Sequence, residues 1–273
     1  MKISKLATFF LAAALLLSLA ACGKKADADV LMREAKTNAN AIQNCTATIN
    51  NTLEFSANNK PFTYQTDSTS VYWAKPFALK STQTSLLGGV TGSSVSYTVS
   101  DSDGVWFYSN AGSGWQKTTA EGIASTPLEQ IDILRLFGNV TAQKYVRETT
   151  LDSVKVHKIE LTFQSEVLRS TIENIVTATG MSKGSQTVVQ TLLDSAPAIY
   201  GYCYVDEAAS QIVRVELDAT EAVNQIFQNI DGSGTTVTVS KCEISGNITG
   251  IGKAPAVELP ADASAAQTVQ AAG

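Results

Sequence analysis

The chain has 273 residues, a formal net charge of −5 at neutral pH and a hydrophobic fraction of 44%. Its lysines and arginines are scattered, so the basic stripe that neutralises phosphates in a nucleic-acid partner is missing and no nucleic acid is expected. One histidine and four well-separated cysteines provide none of the close-spaced ligand pairs of a zinc site, and no metal or cofactor is expected.

Lys2 and Lys5 precede a 16-residue, almost wholly apolar run from Leu6 to Ala21. That order is characteristic of a secretory signal, and the run is short of the roughly 20 residues a membrane-spanning helix needs. A plain signal peptide usually ends A-x-A, which Ala20-Ala21-Cys22-Gly23 fits poorly. Leu19-Ala20-Ala21-Cys22 instead resembles the lipobox of bacterial lipoproteins, in which the preceding peptide is removed and the cysteine carries acyl chains such as palmitate. Residues 1–21 are therefore expected to be a signal peptide and Cys22 the lipidated N-terminus, held in the cell membrane and facing away from the cytoplasm. The remaining 252 residues carry a net charge of −7. Residues 22–28 read as a polar tether with a reach of roughly 23 Å, in which Lys24 and Lys25 either favour an anionic leaflet or are simply solvated.

Asp29 is positioned to cap a helix running from about Val30 to Asn44, whose thin, alanine-rich face suits a broad flat partner. Strands follow at once. Cys45, Ala47, Ile49, Leu53 and Phe55 alternate with polar residues, the pattern of an antiparallel strand with one wet face. Asn58-Asn59-Lys60-Pro61 is a turn, Phe62 to Trp73 a second strand, and Phe77 to Thr84 a third. A Gly88-Gly89 and Gly92 loop leads to Val95–Val99, a turn at Asp101–Gly104, Val105–Ser109, and a short strand at Trp115–Thr118. Thr126-Pro127 opens a helical stretch through Phe137. Strands resume at 143–149 and 154–163, and residues 165–194 read as two helices joined near Gly180–Gly184. Ile199–Val205 and Gln211–Ala219 form a hairpin. A brief helix over Thr220–Asn229 and a loop at Asp231–Gly234 precede a last strand, Thr235–Ile248.

Long hairpin-connected strands with a few inserted helices predict an α+β, mainly antiparallel β fold. The expected form is one strongly curved sheet, an open or half β-barrel, with helices covering its concave face. A single domain over 29–260 and a loose tail at 261–273 are expected. Beyond Cys22, the cysteines Cys45, Cys203 and Cys242 read as small buried strand residues. Cys203 and Cys242, with a strand between them, are too far apart for a disulfide.

The order of features resembles that of the Gram-positive bacterial lipoproteins related in fold to the LolA, LolB and LppX/LprG lipid-binding proteins. The residues that carry the resemblance are the lipobox, the Asp29–Asn44 helix and Cys45–Phe55. They continue through Tyr97…Asp103-Gly104-Val105-Trp106-Phe107-Tyr108…Gly114-Trp115-Gln116-Lys117, the hairpin Tyr202–Val205 with Ile212–Val215, and Val257–Pro260. The resemblance implies an open β-barrel whose concave apolar face holds acyl chains. It supplies no residue-level ligand motif, and the basic cluster that would hold a headgroup phosphate is missing.

Catalytic constellations are absent from the sequence. The single His157 shares strand parity with Ile159, Leu161 and Phe163, and there is no S-x-x-K or H-E-x-x-H. Asp101/Asp103 and Asp206/Glu207 fall at hairpin tips, where Asp closes turns. Clustered aromatics (Tyr97, Trp106, Phe107, Tyr108 and Trp115, then Tyr200, Tyr202 and Tyr204) read first as cross-strand packing. The expectation is a monomeric, non-enzymatic, membrane-anchored carrier of a lipid or other apolar molecule. Its cavity lining is expected to include Ile49, Leu53, Phe55, Tyr97, Phe107, Ile159, Leu161 and Val215. The competing expectation is an envelope interaction or sensor module whose core is filled by its own side chains.

Overall fold

A computed structural model describes residues 26–120, 126–180, 185–228, 236–266 and 268. The signal segment, Cys22, most of the expected tether and the Asp231–Gly234 loop lie outside the described residues.

The chain opens with α1 (Ala28–Asn40), which buries Ala28, Met32, Ala35 and Ala39. Its cap is Asp27 rather than Asp29: Asp27 Oδ1 accepts the backbone N–H groups of Asp29 and Val30 at 2.9 and 3.4 Å. The capping carboxylate has to precede the N–H groups left unpaired in the first turn, and Asp29 is already inside that turn, donating to Asp27.

Six strands follow as a meander: β1 (Asn44–Ala57), β2 (Lys60–Trp73), β3 (Ala78–Leu87), β4 (Val90–Asp101), β5 (Gly104–Asn110) and β6 (Gln116–Thr119). Gly92 belongs to β4 and not to a loop, because the turn is complete in two residues. Asn58-Asn59, Gly88-Gly89 and Asp152-Ser153 are two-residue connections with positive φ at both positions, the turn geometry that matches strand twist. Asp101 Oδ1 accepts the N–H groups of Asp103 and Gly104, and Asp206 Oδ1 those of Ala208 and Ala209. Both carboxylates thus close turns.

Helical segments then alternate with the second set of strands. α2 (Pro127–Gln130), α3 (Asp132–Arg135) and a 3-10 turn (Leu136–Asn139) stand where the sequence suggests one helix; they lead to β7 (Val140–Leu151) and β8 (Val154–Phe163). A 3-10 turn (Ser165–Leu168), α4 (Arg169–Thr179) and α5 (Ser185–Asp194) come next, followed by β9 (Ile199–Asp206), β10 (Ile212–Asp218), α6 (Thr220–Gln228) and β11 (Val237–Thr249). The eleven strands form one open antiparallel sheet in the order β6-β5-β4-β3-β2-β1-β11-β10-β9-β8-β7. β6 and β7 are its edges, so the barrel-like sheet is not closed.

The strand registers define the face beneath the helices. One row runs Tyr145, Ile159, Cys203, Val215, Gly246, Ile49, Ser68, Gln83, Ser94 across nine strands. From β7 to β1 this inner face is apolar and packs against Leu168, Ile172, Ile175 and Val176 of the 165–179 segment, Val189, Leu192 and Leu193 of α5, and Val223, Ile226 and Phe227 of α6. Beyond β1 this row turns to hydroxyl and amide groups, while the rows at Cys45 and Leu53 stay apolar through Tyr72 and Leu79 and through Tyr64 and Leu87. Gly246 is required in this row, since an added Cβ would meet the Thr48 carbonyl oxygen and come within 2.6 Å of Ile133 Cδ1, which lets α3 sit directly on the sheet.

The outer face of β4–β6 has its own small core. Tyr97 and Tyr108 are buried with Ala263 of α7 (Ala261–Ser264), and Val95, Val99, Trp106, Trp115, Val257 and Leu259 pack around them. Trp115 Nε1 donates to Asp262 at 3.0 Å, and Trp73 Nε1 to the Pro255 carbonyl at 2.7 Å. The segment after β11 is therefore docked as far as Ala263, where the alanine- and proline-rich composition suggested a loose tail from 261. Apolar residues on the outer face of the sheet hold it down.

Candidate functional site

A cleft of about 470 Å³ opens between the inner face and the helical cap, within the range of roughly 300–1,000 Å³ typical of small-molecule sites. Its floor is Ile49, Asn51 and Leu53 of β1, Tyr64 and Thr66 of β2, Leu87 of β3, and Cys242 and Ile244 of β11. Its wall is Asp132, Arg135, Leu136 and Asn139 from the 132–139 segment, with Glu166, Val167, Ser170, Thr171 and Asn174 from the 165–174 segment. The floor lies where the apolar half of the sheet gives way to the hydroxyl-bearing half, so the cleft presents both chemistries.

Each charged residue of the lining has a partner. Arg135 pairs with Asp132 at 3.2 Å, Arg169 hydrogen-bonds both carboxylate oxygens of Glu166, and Lys241 pairs with Glu243 at 3.2 Å. The hydrogen bonds from Arg169, with its positive charge, hold the Glu166 carboxyl below the usual carboxylate range. Burial pushes the Cys242 thiol in the floor up to about 12, which makes it a poor nucleophile.

The eight residues expected to line a cavity separate into four environments. Ile49 and Leu53 are on the cleft floor. Phe55, Ile159, Leu161 and Val215 are buried at 3%, 0%, 0% and 1% exposure in the packed core. Phe107 is half-buried on the inner face, in the row Cys45, Tyr72, Leu79, Thr98, Phe107. Tyr97 is on the other side of the sheet altogether, packed against Trp115 at 5.7 Å between ring centroids. Its apolar character suggests the lining, but the inner positions of β4 are Ser94, Ser96 and Thr98. The floor residues Tyr64, Thr66, Leu87 and Ile244 were not anticipated; Tyr64 was findable, as it alternates with Phe62 and Thr66 along β2.

The remaining candidates have structural roles. His157 is buried beside Tyr145, facing inward on β8 as its parity indicates. Cys45, Cys203 and Cys242 are free and buried, and β10 separates the strands of the last two. Tyr202 and Tyr204 are covered by Lys158, whose Nζ lies 3.6 and 5.4 Å from their ring centroids. Among the described residues there is no metal-ligand cluster, and no helix is long and apolar enough to cross a membrane.

No protein-family model matches this chain, and no curated protein matches it in sequence. Solved structures do resemble it. LprF from Mycobacterium bovis shares 10% identity over 84% of this chain and 94% of its own, with a TM-score of 0.43. The lipoprotein LppX from Mycobacterium tuberculosis shares 10% over 84% and 97%, with a TM-score of 0.42. A domain named for outer membrane lipoprotein sorting, from Vibrio parahaemolyticus, shares 10% over 81% and 89%, with a TM-score of 0.28. At these values the likeness is loose.

Proposed function

We propose that this protein is a non-enzymatic carrier or sensor of an amphiphilic apolar molecule, a lipid or acyl chain, held in the cleft between the sheet and the 132–174 wall. One observation carries the reading: the floor joins Ile49, Leu53, Tyr64 and Ile244 to a polar wall whose charged residues, Asp132, Arg135 and Glu166, are each held in an ion pair. An acyl chain on that floor gains about 25 cal/mol for each Å² of apolar surface removed from water, and the wall asparagines and hydroxyls suit an uncharged polar head. The Leu19–Cys22 sequence supports lipidation of Cys22, so the body is read as a monomer tethered to the outer side of a cell membrane.

The chain from Gly23 onward, purified gently, is expected to carry extractable lipid in native mass spectrometry. After delipidation it should take up a fluorescent fatty acid; failure to bind any fatty acid, lipid or apolar probe would sink the reading. Full-length protein recovered from membranes is expected, by intact mass spectrometry, to begin at Cys22 and to carry acyl chains on it; an unmodified Cys22 thiol would exclude the anchor. The solid packing of Ile159, Leu161 and Val215 favours a second reading, a filled interaction or sensor module, which an empty protein co-purifying with a membrane partner would support.

A further inference from the structure

Two of the inner-face rows that leave β1 become polar in β2, passing from Ala47 and Ile49 to Ser70 and Ser68, and the Asn51–Thr66 row is polar in both strands. The row at Leu53 stays apolar. It runs through Tyr64 to Leu87 and Val90, and exposure climbs along it from 5% at Leu53 to 45% at Leu87 and 71% at Val90. Leu87 and Val90 face each other across the Gly88–Gly89 turn, where no atom lies within 4 Å of either glycine's Cβ position. The cleft floor thus continues, through Leu87, to an uncovered apolar hairpin tip.

We propose that this tip docks on a phospholipid bilayer and that the Leu53–Val90 row is the path by which ligand passes between bilayer and cleft. The inference rests on the lipid-binding reading of the cleft. Two further features point to a bilayer. Three residues, with a reach of roughly 14 Å from Cys22 to Ala26, join the two, and Asp29 just beyond is held at 2.8 Å by Gln143, on the strand that follows the cleft residue Asn139. An anchor at Cys22 therefore keeps this end of the sheet near the membrane. Lys60, in the neighbouring β1–β2 hairpin, is exposed and extends over Phe62 at 5.2 Å, a cation beside the tip for anionic headgroups.

The test uses the chain from Gly23, tethered by an N-terminal histidine tag to vesicles of phosphatidylcholine, phosphatidylglycerol and a nickel-chelating lipid. An environment-sensitive dye on Val90→Cys should shift to the blue, while the same dye on Asp152→Cys, at the opposite end of the strands, should not. Val90→Asp should slow transfer of a fluorescent fatty acid from vesicles roughly tenfold and leave uptake from solution unchanged. An unshifted dye, an equal shift at both sites, or unaltered transfer by Val90→Asp overturns the docking. So does a dimer in solution that Val90→Asp dissociates with no effect on transfer, which would make a second copy the occupant. Uptake from solution without a dye shift defeats the docked tip alone; a dye shift without uptake defeats the cleft reading.

Discussion

Replacing Gly246 by alanine tests how the helical wall of the cleft is seated. The new Cβ would lie 2.6 Å from Ile133 Cδ1 and against the Thr48 carbonyl oxygen. That oxygen belongs to the paired β1–β11 ladder, where Thr48 faces Asn247 and Ile49 faces Gly246, so it cannot withdraw without breaking pairing. Ile133 can move only by lifting α3 from the sheet. Overpacking of this kind costs about 1–3 kcal/mol, a fall in melting temperature of about 3–10 °C for a chain of this size. Urea unfolding followed by circular dichroism measures it directly. Ile133→Ala alone should cost about 2–5 kcal/mol through lost packing, but less in the Gly246→Ala background, with a coupling above about 0.5 kcal/mol. Asp132 and Arg135 flank Ile133 and line the cleft, so Gly246→Ala should also weaken fatty-acid uptake. A Gly246→Ala protein within about 0.5 kcal/mol of its parent, with no coupling to Ile133, would refute this account of the wall.

Three other outcomes are expected. Asp27→Ala removes the cap of α1 and should lower stability by about 1 kcal/mol, whereas Asp29→Ala should cost less; the reverse order in denaturant titrations would reinstate Asp29 as the cap. Burial raises the Cys45 and Cys242 thiols to about 12 and Cys203 higher still. Unfolded thiols ionise from about pH 8.5 while the native ones stay protonated, so the contribution is intact below that pH and is lost progressively as pH rises toward 12. Unfolding free energies that hold constant between pH 8 and 10.5 would contradict this, as would native thiols that react with a disulfide reagent as fast as denatured ones. Thr171→Trp should fill the cleft from the wall and reduce uptake of a fluorescent fatty acid at least tenfold with the far-ultraviolet spectrum unchanged; undiminished binding would put the ligand elsewhere.

The strands and turns were largely legible because period-two alternation and Asn-Asn, Gly-Gly and Asp-Gly turns are local signals. The helices over 165–194 were legible for the same reason, their stripes of Leu168, Ile172, Ile175, Val176 and Val189, Leu192, Leu193 being those that face the core. What parity cannot tell is which face of a strand is covered, and by what. β4 alternates Ser94, Ser96, Thr98 with Val95, Tyr97, Val99, and the apolar set faces outward because the docked segment at Leu259–Ala263 covers it. That cover is distant in sequence and too poor in large apolar residues to announce itself. The cleft was only half legible: Ile49 and Leu53 follow from β1 alone, but the wall depends on where α3 and the 165–174 segment come down on the sheet, which Gly246 helps to decide.

The strand order has a consequence for how the chain must be made. β1 is the central strand of eleven, with five strands on either side. The first five neighbours, β2 to β6, follow it directly, so a chain emerging N-terminus first can build that half as a local meander. The other flank of β1 has to wait for β11, which begins only at Val237. Until then the nascent protein carries an unpaired middle strand, a hazard of the kind that edge strands pose. Truncation before Val237 would therefore not trim a margin. It would leave two half-sheets with their seam open, and the cleft, whose floor spans β11, β1, β2 and β3, would lose one side of that seam.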